Sequence, residues 1–353
     1  MPATTTPRGH GGRRVTYSTA DIELRADGPP VPRQVSTQRT AADRWFTGGA
    51  AVVSSLVFVI LFLIGLFLFI QAWPAFAHMG FRFFSTQTWV PLPEHGHSPQ
   101  IGVETALAGT VVIALIALVL AVPVSVGAAL FITEYAPRTL FGVIPLKNFL
   151  TSIVDLMAAV PSIIYGLWGI LLLSDHVVGV SRWLSGHLGF IPFLSVPAGT
   201  SNFTGSFFIA GLLVAIMIIP IVTSISREIF SLTPMEEREA ALALGASRAR
   251  VIRDVVFPFG KGGLVGAIML GLGRALGEAI AVTLVIALLF RPNFQILASG
   301  GNSIPALINN LFGTGGKLGL AGLLAAGLVL FVFTLIVNTV ASVIVSRTRV
   351  RPR

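Results

Sequence analysis

The chain contains no cysteine among its 353 residues, and only 11% of them are charged. The absence of cysteine excludes disulfides, thiol nucleophiles and cysteine-ligated metal sites. The scarcity of charge is equally restrictive, because a soluble domain carries about 25% charged residues. Hydrophobic residues, in contrast, make up 54% of the chain. This balance predicts a protein that lies in a lipid bilayer.

The hydrophobic residues are gathered into runs, each near the roughly 20 residues that an α-helix needs to cross a bilayer. Six such runs lie at 46–72, 106–133, 153–173, 207–225, 264–290 and 318–345. The segments between them are too short to bury a core of their own. The sequence therefore predicts an all-α integral membrane fold, with six transmembrane helices in one domain at residues 45–347.

Cations are distributed unevenly along the chain. Lys and Arg accumulate in the cytoplasmic loops of membrane proteins. With the N-terminus in the cytoplasm, the outer loops hold only Arg82, Arg182, Arg291 and Lys317. Both termini are therefore expected inside, and the net charge of +9 indicates topology rather than a surface for nucleic acid. Residues 1–44 hold few large apolar groups and are expected to form a disordered cytoplasmic tail, and residues 348–353 a short basic one.

No arrangement of residues typical of an enzyme is present in the sequence. A Walker A nucleotide site is excluded because Gly260-Lys261 and Gly316-Lys317 both lack the following Ser or Thr. Glu94-His95-Gly96-His97 could be drawn as a metal site, but such a group in a polar loop is more typical of solvated surface. We therefore expect no catalytic residue, no metal and no cofactor bound by this chain, and any ATP would be hydrolysed by another polypeptide.

The polar segment 233–258 is more regular than the other loops. Thr233-Pro234-Met235-Glu236 predicts a helix start with Thr233 as its N-cap. Gly245 can supply the left-handed turn that ends this helix, and a second short helix should follow until Pro258 breaks it. The alanines at 240, 241 and 243 leave a smooth surface for docking into a partner's groove. The alternative is a helix lying on the membrane surface, with its arginines toward lipid headgroups.

Two charged residues interrupt the fifth hydrophobic run. Arg274 and Glu278 lie where a charge costs at least ~2.5–3.5 kcal/mol on insertion scales. Their i, i+4 spacing should place them on one helical face, within reach of each other and turned toward the protein interior. The donors of arginine suit a tetrahedral oxyanion, which a nearby carboxylate could help to release. The alternative is a salt bridge that only makes the helix insertable.

Close helix packing is predicted by the glycines at 262, 263, 266, 271, 273 and 277.

Part of the polar segment resembles a known motif. Glu239-Ala240-Ala241, then Gly245, then Val255-Val256-Phe257-Pro258 is similar to the EAA loop of permease subunits in bacterial ABC importers. In that family the loop docks into the ATPase subunit. The resemblance implies that Glu239, Ala240, Ala241, Gly245 and Pro258 couple the chain to an ATPase.

The resemblance continues in three further segments, Ala159–Gly169 (AVPSIIYGLWG), Pro220–Arg227 (PIVTSISR) and Gly273–Glu278 (GRALGE). Together they resemble the permeases of the bacterial phosphate importer. This implies a type I ABC importer permease fold in the bacterial inner (plasma) membrane, and a chain that is not itself an enzyme. It would move inorganic phosphate into the cell along a path that includes Arg274 and Glu278.

The same resemblance implies the partners of the chain. A homologous second permease would complete the path, two ATPase subunits would use ATP, and an extracytoplasmic phosphate-binding protein would deliver the ion. Membrane lipid surrounds such a complex, and no nucleic acid is expected.

Three alternatives compete with a phosphate permease. Sulfate and molybdate permeases carry a segment similar to Arg274–Glu278. A secondary anion carrier would need no ATPase but should show internal symmetry and half-helices at the midplane, which the sequence does not reveal, and it leaves the EAA loop unexplained. A membrane-embedded enzyme is disfavoured because one Arg–Glu pair offers no nucleophile–base geometry.

Overall fold

The computed structural model describes residues 41–92, 98–137, 145–196, 202–291 and 293–348, and these are almost entirely helical. The α-helices are α1 (Ala41–Met79), α2 (Glu104–Leu130), α3 (Leu146–Ala159), α4 (Ser162–Trp168), α5 (Ser174–Leu188), α6 (Phe207–Ser231), α7 (Met235–Ala243), α8 (Arg248–Val251), α9 (Phe257–Gly277), α10 (Ile280–Val285), α11 (Ile304–Leu311) and α12 (Gly316–Thr348). Strands β1 (Trp89–Val90) and β2 (Gln100–Ile101) form a short antiparallel pair with Trp89 opposite Ile101.

Three π-helical turns and one 3₁₀ turn follow four of the described α-helices. A 3₁₀ turn, Gly80–Phe84, follows α1. Three π-helical turns, Phe131–Tyr135, Gly169–Leu173 and Ile252–Val256, follow α2, α4 and α8 respectively. The second and third π turns lead directly into further helices, whereas the first is followed by extended backbone at Ala136.

By its internal contacts the chain divides into two units, Met1–Val59 and Ile60–Arg353. The described part of the first unit is the first half of α1. The second unit contains all the other described elements, including both parts of the candidate site.

Among the described residues, five helical segments are long and apolar enough to cross a membrane. They are Ala41–Phe84, Glu104–Tyr135, Phe207–Ser231, Arg248–Gly277 and Gly316–Val343, and the fourth is the least apolar of them. A bent pair, Leu146–Ala159 with Ser162–Leu171, can count as a sixth span. The predicted all-α, multi-pass membrane fold is therefore confirmed, with corrections to two spans.

The third predicted span, 153–173, is not a straight helix. Its two halves meet at 90°, because α3 ends at Ala159 and α4 begins only after Pro161. Proline disfavours helical backbone in the residue before it, and Val160 accordingly takes an extended conformation, with ψ at 128°. The hydroxyl of Tyr165 then donates a hydrogen bond across the break to the carbonyl oxygen of Met157, at 2.9 Å.

The fifth predicted span, 264–290, is also broken. Helix α9 ends at Gly277, and Glu278 has extended backbone with ψ at 114°. The Glu278 Oε1 atom accepts a hydrogen bond from the backbone N–H of Ala281 at 3.2 Å, within the first turn of the short helix α10. A side chain that satisfies an N-terminal N–H in this way favours a new helix over continuation of the old one.

The two broken spans pack against each other. A Cβ atom added at Gly166 of α4 would lie 2.7 Å from the Leu284 side chain and 3.0 Å from the Cα atom of Ala281. Half-helices are thus present, although the sequence did not reveal them. The freed backbone at such breaks is tolerated in a membrane protein only where protein or water covers it.

The core lies mainly between α2 and α6. Small residues of α2, including Ala114, Ala117 and Ala121, pack against Val214 and Ile218 of α6. The Ser125 hydroxyl of α2 also donates a hydrogen bond to the carbonyl oxygen of Ile219 in α6, at 3.1 Å. Close approach of this kind is typical of helix pairs in membranes, where small residues permit tight packing.

Some predictions fall outside the described residues. These include residues 1–40 of the predicted tail, the loop at 93–97 with its two histidines, and residues 349–353. Helix α1 begins at Ala41, so the last four residues of the predicted tail are helical. Among the described ranges, no group of three metal-binding side chains occurs.

Candidate coupling loop and translocation cleft

Helix α7 ends at a left-handed glycine, as the sequence predicts. Gly245 has φ at +81°. Its N–H donates to the Leu242 carbonyl at 2.9 Å, and the N–H of Ala246 donates to the Ala241 carbonyl at 3.1 Å. These two bonds form a Schellman motif, which satisfies carbonyls left open at the helix end.

The start of α7 differs from the prediction. Helix α7 begins at Met235, and Pro234 occupies the cap position without a side-chain cap. Thr233 was expected to cap it, but its hydroxyl is buried and has no hydrogen-bond partner among the described residues. The helix begins one residue later than expected, so Thr233 lies outside the cap position, and Pro234 has no side-chain oxygen with which to cap the helix.

The second helix of the loop runs on into the membrane span. The Ser247 side chain caps α8 by accepting from the N–H of Arg250. The π turn Ile252–Val256 then leads directly into α9. Pro258 was expected to break the helix here, but it lies in the first turn of α9. Proline is tolerated in the first turn of a helix.

The loop has an inner and an outer face. Ala241 and Ala246 pack against an apolar cluster built on Ala129, Phe230 and Val256. The predicted smooth alanine surface is therefore only partly right, since Ala241 faces inward.

The outer face consists of Glu239, Ala240 and Ala243, which are exposed. Leu244 is 89% exposed, although it is large and apolar. Beside it lies a recess of about 260 Å³, lined by Ala241, Leu244, Gly245, Ala246, Arg250, Asp254 and Val255. A large apolar side chain exposed beside a recess makes this face a candidate for contact with another protein.

One contact of the loop was not predicted from the sequence. Arg238 turns inward, and its Nη1 atom lies 3.0 Å from Glu134 Oε1 in the π turn after α2. The two residues are 104 positions apart, so no spacing rule could have paired them. The only sequence signal was an acidic residue at the end of an apolar run, near the loop that carries Arg238.

Arg274 borders a cleft on the surface of the second unit. The cleft has a volume of about 530 Å³ and is lined by Ile221, Gly266, Met269, Leu270, Gly273, Arg274, Asn338 and Ser342. Arg274 is exposed, and among the described residues it has no hydrogen bond or salt bridge. Its place in the last turn of α9 suits a cation, because the helix dipole is negative there. The guanidinium is thus available to a ligand or to another chain.

Glycines make room on this helix in two different ways. Added Cβ atoms at Gly263 and Gly271 would lie 2.8 Å from Ile229 and 2.7 Å from Val222, so these glycines permit α9 to pack on α6. At Gly266 and Gly273 nothing lies within 4 Å, so these two open the cleft. Asn338 and Ser342, which the sequence analysis missed, are polar residues four positions apart in an apolar run, and that pattern could have revealed them.

Glu278 lies away from the cleft. It borders a narrow gap together with Thr110, Ile113, Ala275, Leu276, Val282, Ser303 and Pro305. No salt bridge joins it to Arg274 among the described residues. The predicted ion pair is therefore wrong in this structure, because the helix ends at Gly277 and the i, i+4 geometry is lost. Arg274 and Glu278 border different cavities.

Comparison with known proteins agrees with this architecture. Residues 140–350 match the family described as "Binding-protein-dependent transport system inner membrane component". A Mycobacterium tuberculosis relative, "Phosphate transport system permease protein PstC 2", is 39% identical over 306 residues, which cover 86% of this chain and 91% of the relative. "Phosphate transport system permease protein PstC" of Haemophilus influenzae is 38% identical over 319 residues, covering 88% and 95% of the two chains.

A solved structure shares the fold. It is described as "Crystal structure of a bacterial ABC transporter involved in the import of the acidic polysaccharide alginate" and superposes with a TM-score of 0.52 at 17% identity. The match covers 86% of this chain and 96% of that one. Because the family model covers most of the chain and these relatives match nearly all of it, the chain belongs to the binding-protein-dependent transport system inner membrane components and, within them, to the PstC permease proteins.

Proposed function

We propose that this chain is the permease subunit that carries inorganic phosphate inward in an ATP-driven importer. The observation that supports phosphate as the substrate is the set of relatives named phosphate transport system permease proteins. These relatives are 33% to 39% identical to this chain over most of its length. The coupling loop 233–258 lies in the cytoplasm in this proposal, with both termini, as the distribution of cations favours.

Arg274 supplies the physical argument for the path. An exposed arginine in a membrane span is too costly to face lipid, so the cleft beside it must face water or another chain. A homologous second permease that covers this cleft would leave a closed passage with one fixed positive charge. The fork of donors on Arg274 suits the oxygens of phosphate.

Glu278 has a different role in this proposal from that of an ion-pair partner. Its carboxylate holds the start of α10 and thereby keeps the break in the span open next to Arg274. A change at Glu278 would act on transport through the shape of the path.

Energy enters through the coupling loop. One of the two ATPase subunits would dock on the face formed by Glu239, Ala240 and the turn at Gly245, with Pro258 at the base of α9, and the other would dock on the second permease. Their closure on ATP would move the loop and switch the path between inward- and outward-facing forms, a rigid-body change. An extracytoplasmic phosphate-binding protein would release its ion into the outward-facing form.

The test is uptake of radiolabelled phosphate by proteoliposomes that contain the complete complex and the binding protein. We expect uptake to require ATP on the ATPase side, and unlabelled sulfate or molybdate in excess to compete little. Strong competition by either oxyanion would move the substrate to that ion. Uptake without ATP would instead favour a gradient-driven carrier.

A further inference from the structure

The Arg238–Glu134 pair differs from the other salt bridges of the loop. Its side chains are only 16% and 13% exposed, and the charged atoms lie 3.0 Å apart. In contrast, Arg250 and Asp254 lie 4.0 Å apart and are 74% and 57% exposed. Only the first pair is largely shielded from water, so it is only weakly screened by salt.

The guanidinium of Arg238 joins three elements. Its Nη1 atom meets Glu134 in the π turn after α2, and its Nη2 atom donates to the carbonyl oxygen of Phe230, near the end of α6. Arg238 itself belongs to α7. Glu134 Oε1 has no hydrogen-bond partner among the described residues, so the contact with Glu134 is an ion pair, whereas the contact with Phe230 is a directional hydrogen bond. Because the guanidinium is planar and rigid, the two contacts together restrain the direction of α7 relative to both helices.

The packing beneath the loop fixes this direction much less. The contacts of Ala241 and Ala246 with the cluster around Ala129 involve methyl groups, which present a smooth surface with little directional preference. A buried ion pair contributes little net stability, since its attraction is offset by lost hydration. Removing one partner is nevertheless costly, because the other charge stays buried and unpaired. The pair is therefore better suited to fixing geometry than to stabilising the fold.

We propose that Arg238 and Glu134 form a latch that makes α7 move as one body with the ends of α2 and α6. Helix α6 contributes Ile221 to the cleft beside Arg274, so a push on α7 would reach the cleft along α6. This proposal rests on the proposed function, in which the loop receives the motion of the ATPase. Arg238 is a positioning residue in it and does not contact phosphate.

The test uses the complete complex in proteoliposomes and measures phosphate moved per ATP hydrolysed. Arg238→Gln and Glu134→Gln should each lower this ratio roughly fivefold or more, within the usual range of couplings between sites, while the ATPase subunits still co-purify. The charge exchange, Arg238→Glu with Glu134→Arg, restores the ion pair but not the hydrogen bond to the Phe230 carbonyl, so it should recover only part of the ratio. Arg238→Lys, which keeps the charge opposite Glu134, should fall between wild type and Arg238→Gln. Lys147→Gln removes an exposed cation outside the loop and should change nothing.

A second readout does not depend on phosphate. Amide hydrogen exchange across residues 235–243 reports local opening of α7. It should quicken in both single variants and return toward wild type in the charge exchange. If the wild-type complex hydrolyses ATP but moves no phosphate, the proposed substrate fails, and this exchange series still decides the latch.

Two results would overturn the latch. One is a wild-type ratio of transport to hydrolysis in Arg238→Gln, and the other is a charge exchange no better than the single variants in both readouts. If Arg238→Gln does not accumulate in the membrane, Arg238→Lys is compared with wild type instead. A wild-type ratio of phosphate moved to ATP hydrolysed in Arg238→Lys, together with wild-type amide hydrogen exchange, would then overturn the latch.

Discussion

Replacement of Gly245 separates the backbone requirement of the coupling loop from its docking role. The residue lies at φ +81°, and no heavy atom lies within 4 Å of an added Cβ. Gly245→Ala therefore costs only the left-handed backbone penalty of about 1–2 kcal/mol, with no clash. At about 1.4 kcal/mol per tenfold, the end of α7 should open roughly 5- to 30-fold more often.

The assay is amide hydrogen exchange of α7, read beside co-purification of the ATPase subunits. Gly245→Asn should exchange nearly as wild type does, because asparagine tolerates this conformation. Gly245→Asp has similar backbone tolerance but adds a charge on the outer face, so it should lose the ATPase or fail to drive uptake. Gly186→Ala, where an added Cβ also meets nothing and φ is not positive, is the matched control.

Two outcomes would refute this reasoning. Unchanged exchange in Gly245→Ala would show that the left-handed turn does not limit the stability of α7. ATP-dependent phosphate uptake at the wild-type rate in Gly245→Asp would show that the face beside Gly245 is not where the ATPase docks.

Three further predictions concern the path and its supports. At matched membrane abundance, Arg274→Gln should abolish phosphate uptake and Glu278→Gln should slow it. Because the two residues border different cavities, the double variant should not recover uptake, and uptake near the wild-type rate in the double variant would contradict this. Gly109→Ala should sharply reduce the amount of folded protein in detergent extracts, because the new Cβ would lie 1.9 Å from the backbone oxygen of Asn302. Gly127→Ala, whose Cβ would meet nothing within 4 Å, should leave the amount of folded protein unchanged. Tyr165→Phe loses the hydrogen bond across the bent span, worth about 0.5–1.5 kcal/mol, so the midpoint of thermal unfolding should fall by roughly 1–2 °C for a chain of this size. An unchanged midpoint would show that this bond does not support the bend.

The positions and lengths of the hydrophobic runs predicted six membrane spans, and the described residues form five, or six if the bent pair is counted. The runs could not predict the breaks at Val160 and Glu278, because apolar runs continue through both. A proline marks the first break, but Pro123 and Pro220 lie inside unbroken helices. The difference between a tolerated and a helix-ending proline depends on the tertiary partners of the freed backbone, which are not written in the local sequence.

The candidate site was predicted unevenly for a similar reason. Gly245 was found because a left-handed turn is a local requirement that only a few residues meet. The pairing of Arg274 with Glu278 was wrong because it assumed an unbroken helix. The contact of Arg238 with Glu134 was missed because long-range contacts between charged residues leave no local pattern.

The low apolarity of the span Arg248–Gly277 has a consequence for how the chain enters the membrane. A segment rich in glycine that carries an arginine gains little on its own from partition into lipid. Its partner helix α6 precedes it in the chain and is therefore synthesised first. Val222 and Ile229 of α6 fill the spaces above Gly271 and Gly263. We expect α9 to remain in the bilayer because α6 is already inserted and packs against it. Membrane insertion of the subunit would then proceed by pairs of helices rather than by single helices.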